Sequence, residues 1–152
     1  MRMMSKVKLF IGGIMQGSSP EMAVCNQDYR TEIADIVRRQ HPEVEIVDPF
    51  KLHPNSVTYG RERAVATFLT LLDVAAEADI LVAYLPRASL GTALEVWRAF
   101  DAGKPVIAIS PMDRNWTLWA TTNHILPDIG AFEQFVAQGG LVPYLTRRRL
   151  GK

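Results

Sequence analysis

Cysteine is almost missing from this chain: 152 residues contain one, Cys25, which excludes an internal disulfide and fits a reducing compartment. Cys25 itself reads as a small apolar residue. An excess of charge of one sign is missing too. Seventeen basic residues against sixteen acidic ones leave a net charge of +1, so nothing electrostatic favours a nucleic-acid or acidic-membrane partner. No apolar run is long enough to cross a bilayer. The first residues hold a basic side chain and some apolar ones, but Lys6 and Lys8 interrupt them, Gly12-Gly13 ends them, and no small-residue cleavage site follows. There is no cluster with metal-ligand spacing, no Walker loop and no Ser-His-Asp arrangement. The expectation is a cytoplasmic protein without metal or cofactor.

What is present alternates between strand and helix. Hydrophobic residues make up 48% and charged ones 22%, the balance of a globular domain, and the length suits one domain over 1–152. Val7 to Ile11 reads as a buried strand stopped by Gly12-Gly13. Tyr29 to Gln40 carries Ile33, Ile36 and Val37 at the spacing of one helix face and ends at His41-Pro42. Val44 to Val47 is a second strand, followed by a loop from Lys51 to Tyr59 and a helix from Glu62 to Ala76. Ile80 to Leu85 is apolar throughout, as a central parallel strand should be. Thr92 to Ala102 is a helix stopped by Gly103, and Pro105 to Ile109 is the next strand. Beyond Pro111 the pattern allows a helix near Trp116, another over Ile129 to Gln138, and a short apolar end at Leu141 to Leu145. Strands separated by helices of this length predict βαβ units, a parallel sheet and a three-layer α/β domain. In such sheets ligands sit beyond the carboxyl ends of the strands, here the loops after Ile11, Val47, Leu85 and Ile109.

The loop after the central strand runs Pro86-Arg87-Ala88-Ser89-Leu90-Gly91-Thr92-Ala93-Leu94-Glu95. Gly91 allows close approach to a ligand, and Ser89 or Thr92 can cap the helix that follows. Free backbone N–H groups at that helix start favour an anion or a sugar oxygen. Glu95 falls in the first turns among apolar neighbours, which makes it a candidate buried carboxylate at the cleft. A glutamate there also complements the helix dipole, so the residues alone leave both roles open.

The ordered set Ala78 to Ala83, Ser89 to Glu95, Ala99 and Gly103-Lys104-Pro105-Val106 resembles the nucleoside 2-deoxyribosyltransferase superfamily, which includes the 2'-deoxynucleoside 5'-monophosphate N-glycosidases. Gly12-Gly13-Ile14-Met15-Gln16-Gly17-Ser18 resembles that family's glycine-rich first loop. The resemblance implies a flavodoxin-like, Rossmann-like parallel sheet with helices on both faces and a glutamate nucleophile at Glu95. Attack of that carboxylate on the anomeric carbon gives a glycosyl ester while the base leaves. Water resolves the ester in a hydrolase, a second base in a transferase. The resemblance gives Ser89 the place of a phosphate-meeting serine in the monophosphate hydrolases, where the nucleoside transferases carry an aspartate for the 5'-hydroxyl. A dianionic phosphate is repelled by a carboxylate and welcomed by a hydroxyl at a helix start, so Ser89 points to a nucleoside 5'-monophosphate.

The chain departs from the family at two places. Leu71 stands where the family has a sugar-holding aspartate, and the nearest carboxylate, Asp73, is two residues or about 200° of helix away. Met15 stands where the hydrolases carry an arginine. The expected site is therefore Glu95 and Asp73 as catalytic residues, with Gly12, Gly13, Ile14, Asp48, Ser89, Gly91, Asn115 and Thr117 binding substrate. Asn115, Thr117 and Asn123 lie in the stretch by which family members complete a neighbouring subunit's site, so a homo-oligomer is expected. His53 is a candidate acid for the leaving base and Arg87 a candidate phosphate contact. Tyr59, Trp116 and Trp119 suit base stacking or an interface, Asp79 reads as structural, and Arg147-Arg148-Arg149 as a solvated tail. The partner is a small nucleotide or nucleoside. Competing readings are a nucleoside deoxyribosyltransferase, the phosphoribohydrolase family of cytokinin activation through Gly91-Thr92-Ala93-Leu94-Glu95, and a catalytically silent nucleotide sensor, which Leu71 favours.

Overall fold

The computed structural model describes residues 5–16 and 26–146; Cys25, Gly17, Ser18 and Arg147 to Arg149 lie outside the described residues. Five strands form one all-parallel sheet: β1 (Lys8–Gly13), β2 (Glu45–Val47), β3 (Ile80–Tyr84), β4 (Val106–Ile109) and β5 (His124–Leu126), in the order β2-β1-β3-β4-β5. This is the flavodoxin-like order, with its reversal between β1 and β3. The helices are α1 (Asp28–Gln40), α2 (Pro49–Leu52), α3 (Arg61–Glu77), α4 (Leu90–Asp101), α5 (Trp116–Thr121), α6 (Ile129–Ala137) and α7 (Val142–Thr146).

Two apolar layers hold it together, divided by the pleat of the sheet. Leu9, Ile11, Ile80, Val82, Ile107 and Ile109 face α1, α6 and α7 through Ile33, Val37, Phe132, Val136 and Leu145. Phe10, Leu81, Ala83, Val106 and Ala108 face α3, α4 and α5 through Ala75, Val96, Ala99 and Leu118. Strand residues buried on both faces are what a covered parallel sheet requires.

Three boundaries differ from the sequence reading. β1 does not stop at the glycines: Gly12 pairs with Ala83 and Gly13 with Tyr84, because the neighbouring strand continues to offer ladder partners. The loop expected from Lys51 to Tyr59 begins inside a short helix, α2, whose first turn starts at Pro49 under an Asp48 cap, and carries a 3-10 turn over Ser56–Thr58. β5 went unread because its three residues, His124, Ile125 and Leu126, carry too little pattern. None of the helices in the described residues is long and apolar enough to cross a membrane.

Candidate active site

The site forms where β1 and β3 end. Alternation along β1 turns Gly12 toward α4 and Gly13 toward α1. On the α4 side, a Cβ at position 12 would lie 2.7 Å from Oε2 of Glu95 and 3.7 Å from Cγ2 of Thr92. On the α1 side, a Cβ at position 13 would collide with the ring and hydroxyl of Tyr29. The two glycines are thus required for space, by two different side chains from two different layers.

Glu95 is partly exposed as a residue, but its Oε2 is buried and has no hydrogen-bond partner among the described residues. Burial pushes its carboxyl up to about 8 from 4.5, with the Arg30 guanidinium pulling the other way. Below that pH the group is mostly neutral, which is how a carboxyl tolerates a buried position without a donor. An unpartnered buried carboxylate at the carboxyl edge of a parallel sheet is an uncommon arrangement outside functional sites.

Helix α4 begins at Leu90 under a Ser89 cap: Ser89 Oγ accepts from the Thr92 backbone N–H at 3.4 Å and from Thr92 Oγ1 at 3.0 Å. Ser89 also lines a cleft of about 380 Å³ with Asn115, Thr117, Leu90 and Met112. Asn115 caps α5, its Oδ1 accepting from the N–H groups of Thr117 and Leu118 at 2.9 and 3.3 Å. A second cleft, of about 150 Å³, lies between Met15 and Gln16, the His53–Tyr59 segment, and Thr67, Phe68 and Leu71 of α3. His53 Nδ1 meets the Tyr59 hydroxyl at 2.9 Å, and Arg63 lies over the Tyr59 ring at 3.8 Å. A Cβ at Gly91 would lie 3.6 Å from the Phe68 ring, in ordinary contact. Glu95 lines neither cleft.

Several expected residues are elsewhere or otherwise engaged. Asp73 is not brought to Glu95: it lies on the exposed seam between α3 and α4, paired with Arg98 at 2.7 Å, because the helix continues unbroken and the cleft side goes to Leu71. Asp48 is buried at 6% exposure and occupied, capping α2 through Phe50 N–H at 2.9 Å and pairing with Arg30 at 3.3 Å. Ile14 is buried, and its carbonyl accepts from Gln27 and from the Tyr29 hydroxyl. Asn123 accepts from Val106 N–H at the amino end of β4, the wrong end of the sheet for a ligand. Asp79 accepts from Lys8 N–H at that same end. Arg87, Trp116 and Trp119 are exposed.

Two residues that the sequence reading passed over are central. Arg30 is 2% exposed, and Tyr29 stacks at 4.4 Å on Tyr84. Burial raises the Tyr29 hydroxyl, opposed by Arg30 and assisted by Glu95, Asp48 and Tyr84. The available signal was helical spacing: Arg30, Ile33 and Val37 share one stripe, and an arginine inside an apolar stripe calls for a buried partner.

The sheet defines a flavodoxin-like α/β protein, and the unpartnered Glu95 Oε2 from α4 packs on Gly12 beside its topological switch point. No protein-family model matches the sequence, and no curated protein does. Solved structures do match. A 2-deoxyribosyltransferase from Bacillus psychrosaccharolyticus is 19% identical, over 84% of this chain and 90% of its own, with a TM-score of 0.61. A conserved protein from Enterococcus faecalis V583 is 15% identical, over 88% of this chain and 99% of its own, also with a TM-score of 0.61. At these identities the likeness shows the fold, and the fold is the one the sequence resemblance implied.

Proposed function

We propose that this chain is an N-glycosidase that cleaves the base–sugar bond of a nucleoside or deoxynucleoside 5'-monophosphate through a glycosyl ester on Glu95. The observation that carries the reading is the Oε2 atom of Glu95, buried, without a hydrogen-bond partner among the described residues, and seated against Gly12 at the carboxyl end of β1. In its ionised form such a group is poorly solvated and reactive toward a carbon that is gaining positive charge. As the base leaves, the growing positive charge on the sugar favours the carboxylate over the neutral acid. The base departs with a proton; His53, with Nδ1 held by Tyr59 in the adjacent cleft, is the imidazole nearest that task. Ser89 at the start of α4 receives the phosphate, and water then cleaves the ester. The protein works in the cytoplasm as a homo-oligomer whose exposed α4–α5 face, with Trp97, Trp116 and Trp119, meets a second copy.

Base exchange is the second reading, supported by the shared fold with a 2-deoxyribosyltransferase. The protein is to be incubated with nucleosides and their monophosphates, with and without an acceptor base, and free base followed by chromatography. Release from a monophosphate without acceptor supports the hydrolase. Turnover only with an acceptor base assigns the transferase, and no turnover at all rejects both.

A further inference from the structure

Helix α1 and Gln27 at its N-cap grip the end of β1 with three side chains. Gln27 Nε2 donates to the Ile14 carbonyl at 3.0 Å, and the Tyr29 hydroxyl donates to the same oxygen at 3.2 Å. Arg30 donates from Nη1 to the Ile11 carbonyl at 2.9 Å, from Nη2 to the Gly13 carbonyl at 3.2 Å, and from Nε to Gln27 Oε1 at 2.7 Å. The carbonyls on either side of Gly12 are therefore both held by one guanidinium. Only a planar fork of fixed donors spans them, which a lysine ammonium cannot do. The counter-ion is Asp48 at 3.3 Å.

A fully buried cation is costly to keep, and tying down carbonyls requires only neutral donors. The charge has a second carboxyl within its field, Glu95, which rests on the backbone that Arg30 holds. We infer that Arg30 is a positioning residue of this site: its guanidinium fork fixes the carbonyls on both sides of Gly12, the stretch of β1 against which Glu95 Oε2 rests, and its permanent charge acts on that carboxyl from the α1 side of the strand. The inference rests on Glu95 acting as the nucleophile. Arg30 favours the ionised carboxylate against a burial that opposes it, so the guanidinium keeps the nucleophile within reach of neutral pH. The other ionisable groups of this neighbourhood are Tyr29 on α1, Asp48 after β2 and Tyr84 on β3. From α3, the carboxylate of Asp73 is taken by Arg98 of α4.

The test is a carboxyl carbon-13 NMR titration of Glu95, its resonance assigned by loss in Glu95→Gln, alongside the pH–rate profile. Two forms are compared with the parent: Arg30→Lys, and Arg30→Met combined with Asp48→Asn so that no charge is left stranded. The double variant should raise the Glu95 midpoint by about one pH unit or more, and Arg30→Lys by less, with the limb of the rate profile moving equally. Should the double variant not fold, Arg30→Lys is read by the same criterion. A Glu95 midpoint that stays at the parent value in every folded variant overturns the inference, even if activity falls, because Arg30 would then be only structural. Persistence of base release in Glu95→Gln would instead remove the nucleophile reading, an outcome the titration does not depend on.

Discussion

Gly12 and Glu95 are in contact across the β1–α4 boundary, with Oε2 2.7 Å from where a Cβ at position 12 would sit. An alanine there meets the far end of a flexible side chain, not backbone, so the carboxylate moves and the fold does not. Gly12→Ala should keep its melting temperature within a few degrees of the parent. Its base release should fall on the order of 10²-fold, the usual consequence of displacing a reacting group by about 1 Å. At Gly13 the obstacle is the buried Tyr29 ring, which has nowhere to go. Gly13→Ala should therefore destabilise by about 1–3 kcal/mol. Equal stability of the two variants in urea would contradict this division.

Glu95 sets function against stability. Its carboxyl ionises at about 8 in the fold against 4.5 ordinarily, so between those values the folded state holds a proton the unfolded chain has lost. That contribution to stability is complete below about 4.5 and is lost as pH rises through 8. Glu95→Gln is neutral throughout and escapes the loss. Base release should drop by several orders of magnitude, while stability at pH 9 relative to the parent should exceed that at pH 4 by more than about 1 kcal/mol. Urea unfolding at both pH values reads this directly, and an identical difference at the two would refute it.

The same ionisation should shape the rate. Attack needs the carboxylate, so kcat/KM, which reports the free protein, should climb with pH along a limb centred near 8. Steady-state kinetics from pH 5.5 to about 9.5 would show the limb. A flat profile through that range means that ionisation of Glu95 does not control turnover.

The α4–α5 face leaves Leu90 at 90%, Trp116 at 81% and Trp119 at 56% exposure, beside the apolar cleft that Leu90 lines. Exposed apolar side chains on the neighbouring helices α4 and α5 suit a two-fold contact between copies that leaves the cleft itself open. Light scattering at micromolar concentration should give a dimer or a multiple of one, and Leu90→Asp with Trp116→Asp should give monomer. A monomeric parent would sink the interface.

The order of β1 to β4 and of α1, α3 and α4 was legible because apolar blocks such as Ile80 to Tyr84 are buried on both faces and read as strands without context. The burial of Glu95 Oε2 was legible in its apolar neighbours after Gly91-Thr92, whereas a nucleophile's role for it is implied only by the family resemblance. The phase of Asp73, about 200° from Leu71, was readable in the sequence, and α3 runs on without the rearrangement that would bring it round: Leu71 lines the cleft and Asp73 pairs with Arg98. Asp48 is engaged in a way the sequence does not display. Its position after β2 is right for a ligand contact, but the Phe50 N–H and Arg30 use both its cap and its charge, and Arg30 comes from a helix eighteen residues earlier in the chain. A pairing across layers of that kind leaves no local pattern.

Ser89 offers the sharpest control over substrate choice. Its Oγ caps α4 by accepting from Thr92, and it lines the larger cleft with Asn115 and Thr117. Aspartate caps helices as well as serine does, so Ser89→Asp should fold normally and change only what the cleft accepts. In the parent, a nucleoside 5'-monophosphate should be cleaved faster than its nucleoside. In Ser89→Asp, a carboxylate about 4 Å from the phosphate is repelled by about 4 kcal/mol per charge pair at an effective dielectric near 20, less what water and counter-ions remove. Even about 1.4 kcal/mol is a tenfold change, so the preference should be erased or reversed. Nucleoside turnover should hold or rise, because the new carboxylate can accept a hydrogen bond from a free 5'-hydroxyl. Paired kcat/KM values for one nucleoside and its monophosphate decide the matter. A parent that prefers the nucleoside would remove phosphate from Ser89 and move the activity toward base exchange.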